Sequence, residues 1–145
     1  MTVINFREVN RRTVTHDLCD ELGHMNIQHY YATLSDGMFN VMALIGMPKE
    51  EIATRRTSMA LHKEEAEFIG ELNEGAEFYM ATALAHVGTK SMIFQHRFHN
   101  ADDDSLLFKT KFVAVYMDLE TRASAPIPED IKAAVLKEIP KYLED

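Results

Sequence analysis

Apolar and polar positions along this chain follow two different periods. Between residues 26 and 45 the apolar side chains recur at Ile27, Tyr30, Tyr31, Leu34, Met38, Val41, Met42 and Ile45. Steps of three and four gather them on one face of a long helix. Asn26 supplies a side-chain oxygen for a free N–H of the first turn, and Gly46 followed by Pro48 stops the helix. From Thr57 onward the period shortens to two. The segments TSMALHKEEAEFIGEL, AEFYMATALAHV, SMIFQHRF and SLLFKTKFVAVYMDL predict four strands, with turn signals at 73–75, 88–90 and 100–104. Turns that short predict antiparallel hairpins between successive strands.

The third of these strands sets Met92, Phe94, His96 and Phe98 on one side and Ile93, Gln95 and Arg97 on the other. The fourth is apolar on both, with Leu107, Val113, Val115 and Met117 opposite Leu106, Phe108, Phe112 and Tyr116. Both faces of such a strand need cover, and a subunit interface could supply part of it. Residues 7–15 predict a first, weakly patterned strand. Residues 48–55 predict a short helix opened by Pro48, and residues 128–143 a closing helix with Ile131, Val135 and Ile139 on one face. The order is strand, long helix, short helix, four strands, helix. One α+β domain over residues 1–145 follows, a curved antiparallel sheet wrapped around one long central helix. Gly37 in mid-helix costs about 1 kcal/mol against alanine and fits a place where the sheet backbone comes close.

Composition narrows the partners. The 145 residues are 46% hydrophobic, and the formal net charge is −8. An acidic chain with no basic run beyond the pairs Arg11, Arg12 and Arg55, Arg56 lacks the positive field that nucleic acid requires. No apolar run approaches the roughly 20 residues of a membrane span. The first residues, MTVINFREVNRR, lack the apolar centre of an export signal, and the one cysteine can form no internal disulfide. A cytoplasmic setting is the expectation.

The densest chemistry lies just before the long helix, in residues 16–25: Asp17, Asp20, Glu21, His16, His24, Cys19 and the pivot Gly23. A helix start carries unpaired N–H groups and partial positive charge, so it stabilises a developing oxyanion. A carboxylate beside such a point is what acyl transfer and ester hydrolysis use. The plainer reading is that these are solvated loop acids. Cys19 beside His16 and His24 would suit a thiol nucleophile. His16, His24 and His29 with Asp17 or Asp20 match no compact zinc spacing. His62, His86, His96 and His99 read as sheet histidines, and Asp36 as a structural acid on the helix.

The segment Asp20-Glu21-Leu22-Gly23-His24-Met25-Asn26, with Tyr30 four residues on, resembles the Asp-x-x-Gly-His-x-Asn-x-x-x-Tyr motif of hotdog-fold acyl-CoA thioesterases of the 4-hydroxybenzoyl-CoA thioesterase type. The likeness continues through EEAEFIGELNEGAEFYMATALAHVGTKSMIFQHRF, with its Gly-x-Lys-Ser turn at 88–91, and through FVAVYMDLETRASAPIPEDI. It implies the hotdog fold and hydrolysis of a small acyl-CoA. It implies Asp20 as base or nucleophile and the backbone N–H of Ile27 as oxyanion donor. Gly23 would permit the sharp turn, while Asn26 and Tyr30 order the loop and line the site beside His24. Lys90 and Ser91, followed by Arg55 and Arg56, would meet the phosphates of coenzyme A. That molecule is part of the substrate; no metal or separate cofactor is implied. Assembly as a homodimer or homotetramer is implied, with each site between two subunits.

The chain departs from that pattern at Ile27, where many members carry a second asparagine, and at Leu18, where many carry an aspartate. Gly-His-Met-Asn together with Phe94-Gln95-His96 resembles a subgroup acting on betainyl-CoA, whose cationic acyl group would suit an acidic, tyrosine-bearing pocket. Two other classes fit the same residues. One is a hotdog protein that binds acyl-CoA without turning it over. The other is a hotdog hydratase or dehydratase, with His24 or His29 as base at the helix start.

Overall fold

The computed structural model describes residues 5–139. Strand β1 (Arg7–Thr13) and a single 3-10 turn (His16–Leu18) precede the long helix α1 (Ile27–Leu44) and the short helix α2 (Lys49–Arg55). Strands β2 (Thr57–Phe68), β3 (Glu77–Val87), β4 (Ser91–Asn100) and β5 (Leu106–Asp118) follow, and α3 (Glu129–Glu138) closes the described chain. The last residues of the expected closing helix, 140–143, lie outside the described residues. Asn26 is the N-cap of α1, and Gly46 leaves it at φ +83°. Pro48 caps α2 rather than occupying its first turn.

All five strands form one antiparallel sheet in the order β1-β3-β4-β5-β2. The hairpins β3–β4 and β4–β5 form as the turn signals predict. The hairpin expected between β2 and β3 does not form: β2 pairs with β5, and β3 takes β1 as its other neighbour. The cause is the segment 69–76. Ile69 and Gly70 N–H still donate to the Leu107 carbonyl at 2.9 Å, but from Leu72 on the backbone is taken by the front of the chain, with Met25 N–H on the Leu72 carbonyl at 2.7 Å, Gly75 N–H on Val14 at 2.7 Å and Val14 N–H on Ala76 at 2.8 Å. Leu72 is fully buried there. The segment therefore crosses the end of the sheet and closes over the start of α1.

The concave face of the sheet holds the core. Phe78, Met80, Phe94, Phe98 and Phe108 lie on it with no exposed surface. Gly37 is where α1 rests on β3, since a Cβ there would collide with the Met80 side chain. The opposite face is covered in part from within the chain. Alternation turns Ala81 and Ala83 away from α1, yet both are buried, and α3 packs against β3 with Ile131 and Val135 buried. β2 is an edge strand, half-exposed along its length.

Candidate functional site

The loop before α1 is folded around Asp20. Its backbone N–H donates to the His24 carbonyl at 3.2 Å, and its own carbonyl receives the Gly23 N–H at 3.0 Å. Gly23 stands at φ +85°, a left-handed conformation that favours glycine. The carboxylate is held at both oxygens: Oδ1 accepts the Leu22 N–H at 2.9 Å and Oδ2 accepts Asn26 Nδ2–H at 2.8 Å. The Asn26 side chain first, then the Leu22 N–H, keep the Asp20 carboxyl below the ordinary aspartate range. Asp20 is therefore ionised at neutral pH.

Asn26 works in two directions. While its amide nitrogen donates to Asp20, its Oδ1 accepts the Gln28 N–H at 3.0 Å as the cap of α1. Its carbonyl receives the His29 N–H, also at 3.0 Å. The Ile27 N–H is left without an acceptor among the described residues. One residue thus ties a negatively charged carboxylate to a helix start whose first N–H is unpaired and positively polarised.

Both open into a groove of about 450 Å³. One wall is Asp20, His24, Asn26 and Ile27; the other is residues 68–71, brought over by the crossing segment. Tyr30 forms its base. The ring is fixed by Phe68 at 5.1 Å, Phe108 at 5.1 Å and Phe98 at 5.7 Å between centroids. Burial, and then the Glu71 carboxylate, push the Tyr30 phenol up. The groove lining carries two carboxylates, Asp20 and Glu71, and no lysine or arginine. Phe68, Ile69, Gly70 and Glu71 were not legible as a site wall, because Phe-Ile-Gly-Glu reads as a strand running into its turn.

The structure brings Asp20, Gly23, His24, Asn26, Ile27 and Tyr30 together. It does not bring Lys90 and Ser91 to them within one chain. These two sit at the β3–β4 turn, while the site adjoins the start of β3, and eleven residues of strand separate the ends. At 3.3 Å per residue that is roughly 35 Å. Arg55 is occupied by Glu51 and Asp130, and Arg56 by Glu120.

The remaining candidates fall outside the cluster. Asp17 is exposed and accepts the Thr15 hydroxyl. His16 is exposed and pairs with Glu74. Asp36 faces solvent from mid-helix. Desolvation first, then the carboxylates of Glu74, Asp20 and Asp17, push the Cys19 thiol up, the wrong direction for a thiolate nucleophile. No group of three or more potential metal-ligating residues occurs among the described residues. His96 lies fully buried on β4, its Nδ1 2.7 Å from the Thr82 hydroxyl and its Nε2 unpartnered. None of the described helices is long and apolar enough to cross a membrane.

Comparison with known proteins places the chain in a family and a fold. A family model described as the thioesterase-like superfamily matches residues 13–135. A hypothetical protein of Staphylococcus aureus solved in complex with CoA superposes with TM-score 0.82 at 18% identity, covering 100% of this chain and 91% of its own. A 1,4-dihydroxy-2-naphthoyl-CoA thioesterase of Synechocystis gives TM-score 0.76 at 13% identity, covering 92% and 96%. A gentisyl-coenzyme A thioesterase gives 0.76 at 17%, covering 87% and 98%. At these identities the likeness establishes the hotdog fold.

Proposed function

This chain belongs to the thioesterase-like superfamily, and from that premise we propose that it is an acyl-CoA thioesterase that hydrolyses a small acyl-CoA to the free acid and CoA. One observation carries the reading: Asn26 both hydrogen-bonds the Asp20 carboxylate and caps α1, and Asp20 and Ile27, whose N–H has no acceptor among the described residues, line one groove. A thioester carbonyl placed in the groove would direct its oxygen to that N–H and its carbon to Asp20. As the carbonyl carbon becomes tetrahedral, negative charge grows on the oxygen, and a fixed N–H at a helix terminus stabilises it without reorganisation.

Asp20 has two ways to drive the attack. As a base it takes a proton from water, whose oxygen adds to the carbonyl; collapse breaks the C–S bond and the proton goes to the CoA thiolate. As a nucleophile it adds directly, expels CoA thiolate and leaves a mixed anhydride that water then cleaves. A carboxyl held below the ordinary range is a weak base but a fully ionised nucleophile, which favours the second route. A single turnover in ¹⁸O-water, run beside borohydride trapping, tests it: label in the Asp20 carboxylate or reduction of Asp20 to homoserine supports the anhydride, and label in the product acid alone with Asp20 unreduced supports the base.

A second reading concerns the acyl group. Two carboxylates, Tyr30 and Phe68 line the groove, with no lysine or arginine among its residues. That lining suits a quaternary ammonium acyl group such as betainyl. Betainyl-CoA should then be hydrolysed at least tenfold more efficiently than its neutral isostere, 3,3-dimethylbutyryl-CoA. Equal rates would remove this reading and leave the first.

Coenzyme A phosphates call for lysine or arginine, and the groove has neither. Lys90, remote from Asp20 in its own chain, could serve only a site shared with a second copy, in a homodimer or homotetramer. Thiol release across an acyl-CoA panel tests the function itself. Turnover supports it. Tight binding without thiol release would indicate an acyl-CoA-binding protein, and hydration of an enoyl-CoA would indicate a hydratase.

A further inference from the structure

One stripe of α1 continues past the site. Ile27, Tyr31, Ser35, Met38 and Met42 succeed one another at helical spacing, and β2 runs antiparallel alongside. Ile27 and Phe68 line the groove that holds Asp20. Further along, Ser35, Met38 and Met42 face Met59 and Leu61 across a second cavity of about 320 Å³ floored by Phe112. Along both elements, the residues between the two cavities are Tyr31 and Glu64. The Tyr31 hydroxyl lies 2.9 and 2.8 Å from the two Glu64 carboxylate oxygens, and Thr110 donates to Glu64 Oε2 at 2.8 Å. Burial first, and then Glu64, push the Tyr31 phenol up to about 12. It therefore stays protonated and keeps donating.

We propose that Tyr31 and Glu64 form a hydrogen-bonded bar that sets the acyl length accepted from the Asp20 groove, and that the methionine-lined cavity behind it takes the distal part of a linear acyl chain when the bar is opened. The inference rests on the thioesterase reading for the identity of the ligand. Its occupant is an acyl chain because the cavity is a continuation of the stripe that begins at the oxyanion N–H. Methionines give it a deformable apolar lining. One helical turn, roughly 6 Å, separates Ile27 from Tyr31. A closed bar therefore leaves room for only a few carbons beyond the carbonyl.

The test reads binding rather than turnover. Dissociation constants of the non-hydrolysable thioethers S-butyl-CoA and S-dodecyl-CoA are measured by calorimetry on the full chain. The native protein should favour the butyl ligand. Tyr31→Ala, and independently Glu64→Ala, should shift the butyl-to-dodecyl Kd ratio at least tenfold toward dodecyl. Adding Met38→Trp to either should abolish the shift. If one opening variant fails to fold, the other decides. An unchanged ratio in the folded variant, as when a second copy of the chain fills the cavity, overturns the proposal. So does a shift that survives Met38→Trp, or failure of the native protein to bind either ligand. Binding that behaves as expected while thiol release is absent would fault only the thioesterase reading.

Discussion

Asn26 donates its side-chain amide to Asp20 at 2.8 Å while the oxygen of the same amide caps α1 through Gln28 at 3.0 Å. The residue that starts the helix thereby positions and ionises the carboxylate. Helix capping and site chemistry are one structural device.

Removal of that side chain should therefore do two separable things. Asn26→Ala loses a cap worth about 1 kcal/mol. It also deprives Asp20 of the larger of the two hydrogen bonds that keep its carboxyl low. Because the ionised carboxylate is the active form, the acid limb of kcat/KM lies below the ordinary aspartate range in the native protein. It should move to higher pH in Asn26→Ala. A pH profile whose acid limb is unchanged would show that Asn26 does not govern the Asp20 proton.

Cys19→Ala should leave thiol-release activity within about twofold of native, since its thiol is raised rather than activated. Steady-state kinetics on one acyl-CoA suffice to check this.

His96 makes acid stability legible. Its ring is enclosed by Phe94, Phe112 and Thr82, and burial drives its pKa down from 6.5 to about 3. The folded state thus prefers the neutral ring. The stability from this preference is fully present above pH 6.5 and is lost as pH falls from 6.5 toward 3. The slope from this residue approaches about 1.4 kcal/mol per pH unit at the steepest. Urea titrations at pH 7.5, 6 and 5 should show the decline in the native protein, and His96→Gln should flatten it over that interval.

Gly37→Val should destabilise by about 1–3 kcal/mol through overpacking against Met80. Thermal unfolding reads the loss directly.

Much of this was readable from the chain. The three-and-four spacing from Ile27 to Ile45, Asn26 before it and Gly46 after it predict α1 to within a residue at each end. The alternation of Met92, Phe94, His96 and Phe98 predicts which face of β4 is buried. What failed was the pairing of β2 with β3. The turn signal at 73–75 is real, and Gly75 has φ +87°. Yet a local signal cannot say that Val14 and Met25, some fifty to sixty residues earlier, take the hydrogen bonds of that segment. The wall opposite Asp20 was invisible for a related reason: Phe68 pairs with Phe108, and the Ile69 and Gly70 N–H groups both donate to Leu107, some forty residues later. Tyr31 and Glu64 were hidden likewise: one read as a core position of α1 and the other as one acid among three on β2. Their meeting depends on how helix and edge strand lie together.

The most direct test of the account is the rate of CoA thiol release from a hydrolysed acyl-CoA by native protein and by Asp20→Asn, with circular dichroism confirming the fold. The substitution keeps the shape of the side chain but removes its charge and one of its two acceptor oxygens. A fall of roughly 100- to 10,000-fold in kcat is predicted, with KM little changed. Turnover by Asp20→Asn within a few-fold of native would contradict the central claim.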